Sequence, residues 1–566
     1  MKCAILLPVF LCAAIACGGQ QQATVAIKVD QVGYLPSAPK IALVSAAAQT
    51  FTVKRVADGH VAFEGTLSSP THDSDTGDTV QAADFSRLRG AGTYYLEITG
   101  VGRSWPFAIG DGIFSRPYYL AMRGFYGQRC GIAVDLGPEF PVYTHAACHL
   151  HGAFDHSSGK QGPRDNVGGW HDAGDFGRYM PSSAVATATL MWTWDLYKRK
   201  LRAISLHIPE SGNSTPDLLN ETRWNLEWML KMQDSDGGVW QKQTSAQFPD
   251  FIMPESDTAP SLVIGTGSEP FKSTCATADL AAAAALAARV FKPFDPAFAA
   301  RNLDAARKAW KWAMAHPGVA FKNPAGITTG EYGDSQCGDE MLWAAAELWR
   351  TTGEAAYGTY FSGHYAEYLP ALDSPAGEGW KDTAPMALWA YAFAGSYDGH
   401  IVADIQERTL RAARRVAERT RASAYHVSMA TGDYVWGSNG VAANYGMQLL
   451  IANQFQPDPA FVEAAADNLH YLLGRNTFSL SWVTQVGAHP YRHPHHRPSE
   501  ADQNAEPWPG LLSGGPDANR QDKVTRALPT MPPAQMYRDD RDSYSSNEVA
   551  INWQAMLVFL LASQVR

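Results

Sequence analysis

Residues 277–290 read Thr-Ala-Asp-Leu-Ala-Ala-Ala-Ala-Ala-Leu-Ala-Ala-Arg-Val, and this stretch decides the fold of most of the chain. Alanine and leucine are strong helix formers, and nothing in the run breaks a helix. Similar segments recur from Leu303 to Ala315, Asp339 to Arg350, Pro385 to Ala394, Glu407 to Arg419, Phe461 to Leu473 and Val549 to Ser563. Each carries apolar residues at three-to-four spacing, and loops rich in Gly, Pro and Asp separate them. Many helices in succession with no strands between them predict an all-α toroid or bundle. The stretch from Gly474 to Asn547, rich in Pro and His, is too long for a plain connection and reads as a functional or disordered loop.

Upstream of the helices the pattern changes. Ala26-Ile27-Lys28-Val29, Ile41-Ala42-Leu43-Val44, Phe51-Thr52-Val53-Lys54 and Tyr94-Tyr95-Leu96-Glu97-Ile98 are short β-rich runs between turn residues. They predict a small β-sandwich over residues 24–110, closed by a strand near Phe107 and followed by the helical body over 112–566. A length of 566 residues agrees with two domains. Residues 1–17 read as an export signal: Lys2 gives the positive start, Ala4 to Ala13 the apolar stretch, and Ala14-Ile15-Ala16 a small-x-small cleavage site. An N-terminal helix of the mature fold is the alternative. The apolar run is too short to span a bilayer, and no later segment is expected to do so. The chain is therefore expected to be secreted or periplasmic, either free or lipid-anchored through Cys17.

A net charge of −10 disfavours nucleic acid and anionic membrane as partners and fits a neutral substrate. Seventeen tryptophans supply large cores and, where exposed, flat faces for sugar rings. Of seven cysteines, four (Cys130, Cys148, Cys275 and Cys337) lie beyond the export signal. Four cysteines over so long a chain are no disulfide scaffold, though a pair or a metal site remains open.

The chemistry concentrates in two places. Gly168-Gly-Trp-His-Asp172-Ala-Gly-Asp175 carries two acids in a glycine-punctuated stretch, and Tyr544-Ser-Ser-Asn-Glu548-Val-Ala550 carries a third far downstream. Acids facing each other across a cleft are what glycosidic cleavage needs, one taking a proton from water and the other giving one to the leaving oxygen. On spacing alone, Asp-x-x-Asp is equally a turn or helix cap, and Glu548 an exposed first-turn acid.

Together these features resemble glycoside hydrolase family 9 cellulases, of the subgroup with an N-terminal immunoglobulin-like domain. The residues that carry the resemblance are the 168–175 segment, Pro494-His495-His496-Arg497 preceded by Ser481 to Gly487, and Tyr537-x-Asp539-x4-Tyr544-x3-Glu548-x-Ala550. The resemblance implies an immunoglobulin-like sandwich against an (α/α)6 barrel. It also implies endo-hydrolysis of β-1,4-glucan with inversion by a monomer acting on poly- or oligosaccharide. Asp175 is then the base, Asp172 holds the water, Glu548 is the acid, and His495 and Asp539 assist. Arg497, His496, Trp436 and Tyr544 would bind the sugar. Exo-acting members of the family, and a non-catalytic glycan-binding protein with this fold, are the rival readings.

The resemblance also implies two metals. Cys130, Cys148, His149 and His171 would hold a structural Zn²⁺, although the spacing is not that of a zinc finger and buried thiols are the alternative. Ser335, Asp339, Glu340 and Asp382 would hold Ca²⁺, with simple capping of the helix at Asp339 as the alternative. Three positions depart from the family pattern: His489 stands where Asn or a basic residue is usual, Gln554 where Asn is usual, and Gln241 where many relatives have His. They leave sugar preference and the choice between endo and exo action open.

Overall fold

The computed structural model describes residues 22–373, 379–395 and 398–566. The expected export signal over residues 1–17, with Cys17, lies outside the described residues.

The N-terminal part is a two-sheet sandwich. Its strands are β1 (Ile27–Lys28), β2 (Gly33–Tyr34), β3 (Ile41–Val44), β4 (Thr50–Arg55), β5 (Val61–Thr66), β6 (Thr71–His72), β7 (Thr79–Asp84), β8 (Gly92–Ile98), β9 (Gly102–Arg103) and β10 (Phe107–Ile109). One sheet runs β1-β3-β7-β6 and the other β2-β10-β8-β4-β5, with β9 added to β8. Strand alternation decides what is buried: Tyr94, Leu96 and Ile98 of β8 point into the sandwich core while Thr93 and Glu97 do not. In β3, Ala42 and Val44 join that same core, whereas Leu43 on the opposite face, with Leu35 and Val80, is part of the core of the helical domain.

Twelve helices of ten or more residues follow among the described residues: α1 (Ser115–Gly127), α2 (Met180–Leu201), α3 (Asp217–Lys231), α4 (Thr274–Phe291), α5 (Pro296–Ala315), α6 (Gly338–Thr352), α7 (Ala355–Tyr368), α8 (Ala384–Phe393), α9 (Gly399–Ala422), α10 (Ser438–Phe455), α11 (Pro459–Leu472) and α12 (Ile551–Gln564). They form the six hairpins of an (α/α)6 barrel. Even-numbered helices make the inner ring, in which α10 packs on α12, α12 on α2, α2 on α4, α4 on α6 and α6 on α8. The inner helices are buried on nearly every side, whereas outer α9 buries one stripe, including Ile401, Ile405, Thr409, Ala412, Val416 and Thr420.

Two sequence expectations change here. Helix α4 is long and apolar enough to cross a bilayer, contrary to the reading that no such segment exists. Nearly all of it is enclosed by the barrel, which is why its composition is so apolar. Strands also interrupt the helices. After the ribbon β11 (Val134–Asp135) and β12 (Thr144–His145) come β13 (Gly152–Phe154), β14 (Pro163–Arg164), β15 (Arg178–Tyr179), β16 (Lys242–Thr244) and β17 (Ser261–Ile264). The last five form one sheet in the order β14-β13-β17-β16-β15. This sheet leads the chain into the N-terminus of α2, where the paired acids lie.

The sandwich is joined to the barrel by specific polar contacts. Buried Asp30 accepts a 2.7 Å hydrogen bond from His470 of α11. Gln31 bonds to the carbonyl of Ser479 and accepts from the backbone N–H groups of Ala488 and His489.

Candidate active site

The acids converge because inner helices begin at one mouth of the barrel. The segments just before α2, α6, α8, α10 and α12 bring Asp172, Asp175, Tyr332, Trp380, Trp436 and Glu548 around a single cleft of about 450 Å³. The base-side and acid-side loops are tied by backbone. Ile551 N donates to Asp172 O at 2.9 Å, Arg497 N to Gly174 O at 3.1 Å, and His495 N to Asn547 O at 2.9 Å. Gly174 is required by this approach, since a Cβ there would lie 1.8 Å from the carbonyl oxygen of His495.

Each paired acid has a tyrosine. Asp175 Oδ2 accepts from Tyr179 Oη at 3.1 Å and from Gly177 N at 2.9 Å. Asp172 Oδ2 accepts from Tyr332 Oη at 2.6 Å, and its other oxygen from Ser182. The two tyrosine rings lie 4.6 Å apart. Burial, with the nearby Asp175 charge, pushes Asp172 up to about 7 despite these hydrogen bonds. Glu548 is driven well above the ordinary glutamate range, first by enclosure and then by the charges of Asp175 and Asp172. Arg497 and a hydrogen bond with Trp436 act in the opposite direction. A carboxyl kept protonated opposite another acid can deliver a proton where its neighbour accepts one.

The other expected site residues divide. Trp436 is 38% exposed in the cleft beside Glu548, and Tyr544 packs against it at 5.3 Å. His495 donates Nδ1–H to Arg541 O at 2.6 Å, and burial lowers its pKa. His496 is placed behind the cleft rather than in it. Its ring nitrogens face Ser499 Oγ at 2.9 Å and Gln128 Oε1 at 3.1 Å, and burial lowers its pKa to about 3. Gln128 in turn holds Ala173 O, so His496 braces the base loop. Arg497 gives two of its donors to protein, Nε to Pro249 O and Nη1 to Gly174 O, at 2.8 Å each. Asp539 caps the backbone N–H groups of Arg492 and His493, at 2.8 Å each, and holds Asn547 next to the acid.

Sequence reasoning missed Tyr179, Tyr332, Trp380 and Phe248, all cleft residues. Tyr179, four residues after Asp175, was within reach of a motif reading. Tyr332, Trp380 and Phe248 come from separate loops with no local signal. The departures from the family pattern serve structure. Gln241 is buried between Ser273 Oγ and Tyr332 O, Gln554 ties Leu512 N to the carbonyls of Ala121 and Gly510, and His489 stacks on Trp105 of the sandwich at 4.8 Å.

Next to the base loop, ligand atoms of Cys130, Cys148, His149 and His171 all lie within 4.8 Å of one another, a group able to hold a metal ion. The Sγ–Sγ distance is 3.9 Å, Cys130 Sγ to His149 Nδ1 is 3.6 Å, and Cys148 Sγ to His171 Nε2 is 3.8 Å. These are close to the edges of a tetrahedron, about 3.6–3.8 Å for ordinary zinc–ligand lengths. His149 Nε2 is held by Asp257 at 3.3 Å, the outer hydrogen bond that orients a ligating imidazole. The calcium set is less uniform. Asp339 and Glu340 are buried, whereas Ser335 and Asp382 are exposed. Asp339 is engaged with Thr383 N at 2.8 Å, and its neighbours Cys275 and Cys337 form a disulfide. Glu340 Oε2 is buried without a hydrogen-bond partner.

A groove lined by aromatic side chains and by acids from two loops, one of them pushed well above the ordinary carboxylate range, is the arrangement of a glycoside-cleaving hydrolase. Residues 114–561 match glycosyl hydrolase family 9, and residues 22–103 match the cellulase N-terminal ig-like domain. The chain is 34% identical to endoglucanase D of Acetivibrio thermocellus over 95% of this chain and 83% of the relative. It is 32% identical to a cellodextrinase of Butyrivibrio fibrisolvens, over 95% and 99% respectively. The crystal structure of a Zn-binding triple mutant of the GH family 9 endoglucanase J30 superposes with a TM-score of 0.87 at 36% identity, covering 94% of this chain and 99% of that one. The chain belongs to glycosyl hydrolase family 9.

Proposed function

We propose that the chain is a secreted endo-β-1,4-glucanase acting on cellulose-type glucan by a single displacement with inversion. The carrying observation is the pairing of Asp175 with a raised-pKa Glu548 in one aromatic cleft. In this reading Asp175 takes a proton from a water beneath the sugar ring, Asp172 helps to orient that water, and Glu548 protonates the departing glycosidic oxygen. Trp436 offers the sugar an exposed face and holds Glu548 at the same time. Export rests on the composition of residues 1–17 alone. The test is the fall in viscosity of carboxymethyl-cellulose per reducing end released. A steep early fall with mixed oligomers is expected. Glucose or cellobiose alone from the first time point, with viscosity unchanged, would replace this reading with an exo-acting one.

Zinc is the proposed ion at Cys130, Cys148, His149 and His171, since two thiolates and two imidazoles favour it over harder cations. A closed four-ligand site supplies stability rather than Lewis-acid chemistry, and His171 carries that rigidity directly to Asp172. Calcium beside Asp339 and Glu340 is the second metal reading, because a hard cation would satisfy the unpartnered carboxylate oxygen. Elemental analysis of purified protein is expected to find one zinc per chain, lost in Cys148→Ser together with several degrees of thermal stability. Unchanged metal content in that variant would refute the assignment.

A further inference from the structure

Asp522 has no exposed surface and lies outside the cleft, yet its carboxylate takes five hydrogen bonds. Two are those of an ordinary helix cap: Thr525 N at 2.6 Å and Thr525 Oγ1 at 2.9 Å, at the start of the short helix Lys523–Ala527. The other three go elsewhere. Oδ2 accepts from Ser545 N and Ser545 Oγ at 2.8 Å each, and from Ser543 Oγ at 2.9 Å. Those serines flank Tyr544 in the single turn that ends at Glu548. Capping requires none of these three.

The surroundings make the same connection. Tyr544 Oη donates to Gln521 O at 3.1 Å, beside Asp522, while its ring packs on Trp436, which hydrogen-bonds to Glu548. At the far end of the turn, Asp539 holds Asn547 Nδ2 at 3.1 Å, and Tyr537 Oη donates to Asn547 Oδ1 at 2.6 Å. The acid's turn is thus gripped at residues 543–545 by one carboxylate and at 547 by another. Burial raises the pKa of Asp522, but the hydrogen bonds from Thr525 and Ser545 outweigh it and hold the group below the usual carboxylate range.

We propose that Asp522 is a positioning residue for the reaction, fixing through Ser543 and Ser545 where the Glu548 carboxyl stands relative to the glycosidic oxygen. This rests on reading Glu548 as the proton donor. Displacing a reacting group by about 1 Å can cost on the order of 10²-fold in rate, and a proton donor is sensitive to its distance from the leaving oxygen.

The test separates positioning of the acid from general damage by using leaving groups of different basicity. A dinitrophenyl β-cellobioside departs without protonation, whereas natural glucan does not. Asp522→Asn is expected to lower kcat on glucan by about 10–100-fold while changing KM little and the dinitrophenyl substrate less than about threefold. Ser543→Ala and Ser545→Ala together, which leave the carboxylate in place, should show the same selectivity and carry the comparison if Asp522→Asn does not fold. Equal losses on both substrates, or no loss on either, would overturn the proposal. Glu548→Gln run alongside distinguishes the two failures. If it keeps full glucan activity, the donor assignment falls first. If it behaves as a lost donor while the Asp522 and serine variants are unselective, only the positioning role falls.

Discussion

Glu548→Gln is expected to lower kcat on cellulose-type glucan by about 10³-fold while leaving glucan binding nearly intact. The amide keeps the shape of the side chain and its contact with Trp436 but has no proton to give. In the wild type, enclosure and the charges of Asp175 and Asp172 keep the Glu548 carboxyl protonated far above the ordinary glutamate range. The working form is therefore present below that raised pKa, and activity on glucan should be lost as pH rises through it. That alkaline limb should vanish when Glu548→Gln is assayed on an activated aryl glycoside, whose leaving group needs no protonation. The measurement is kcat against pH on both substrates. Glucan turnover within a few-fold of wild type would remove Glu548 from the role.

Asp175→Ala is expected to cost about 10²–10⁴-fold on glucan and aryl glycosides alike, because both routes need an activated water. The loss should be partly reversed by azide, a nucleophile that needs no base. With Glu548 still giving its proton to the leaving oxygen, azide would displace the leaving group from the face where water normally attacks. A β-glycoside should then give an α-glycosyl azide, visible by NMR. Asp172→Ala should not be rescued in this way, since it empties the partner position of Tyr332 and Ser182 rather than the base position. A β-configured azide product, or no loss of rate in Asp175→Ala, would contradict single displacement with Asp175 as base.

What the sequence disclosed follows the physics of burial. Outer helix α9 was legible because one stripe faces the core and the rest faces water. Inner α2 and α10, buried over Met180 to Trp194 and most of Ser438 to Ala452, show no such stripe, and they lack the long alanine run that made equally enclosed α4 legible. Strands β13 to β17 are two to four residues long, too short for alternation to register. The acids were legible because each sits in a compact, distinctive motif. Tyr332 and Trp380 were not, since their importance lies in a fold that brings five loops to one mouth. His496 and Arg497 also hold the base loop, a task no motif reading assigned to them.

Leu35, Leu43 and Val80 belong by chain position to the sandwich but by packing to the core of the helical domain. The seam between the two parts is therefore a weld, without a pivot. Cutting it would bare an oily face on both pieces. The count of two domains describes how the polypeptide is folded and says nothing about moving parts.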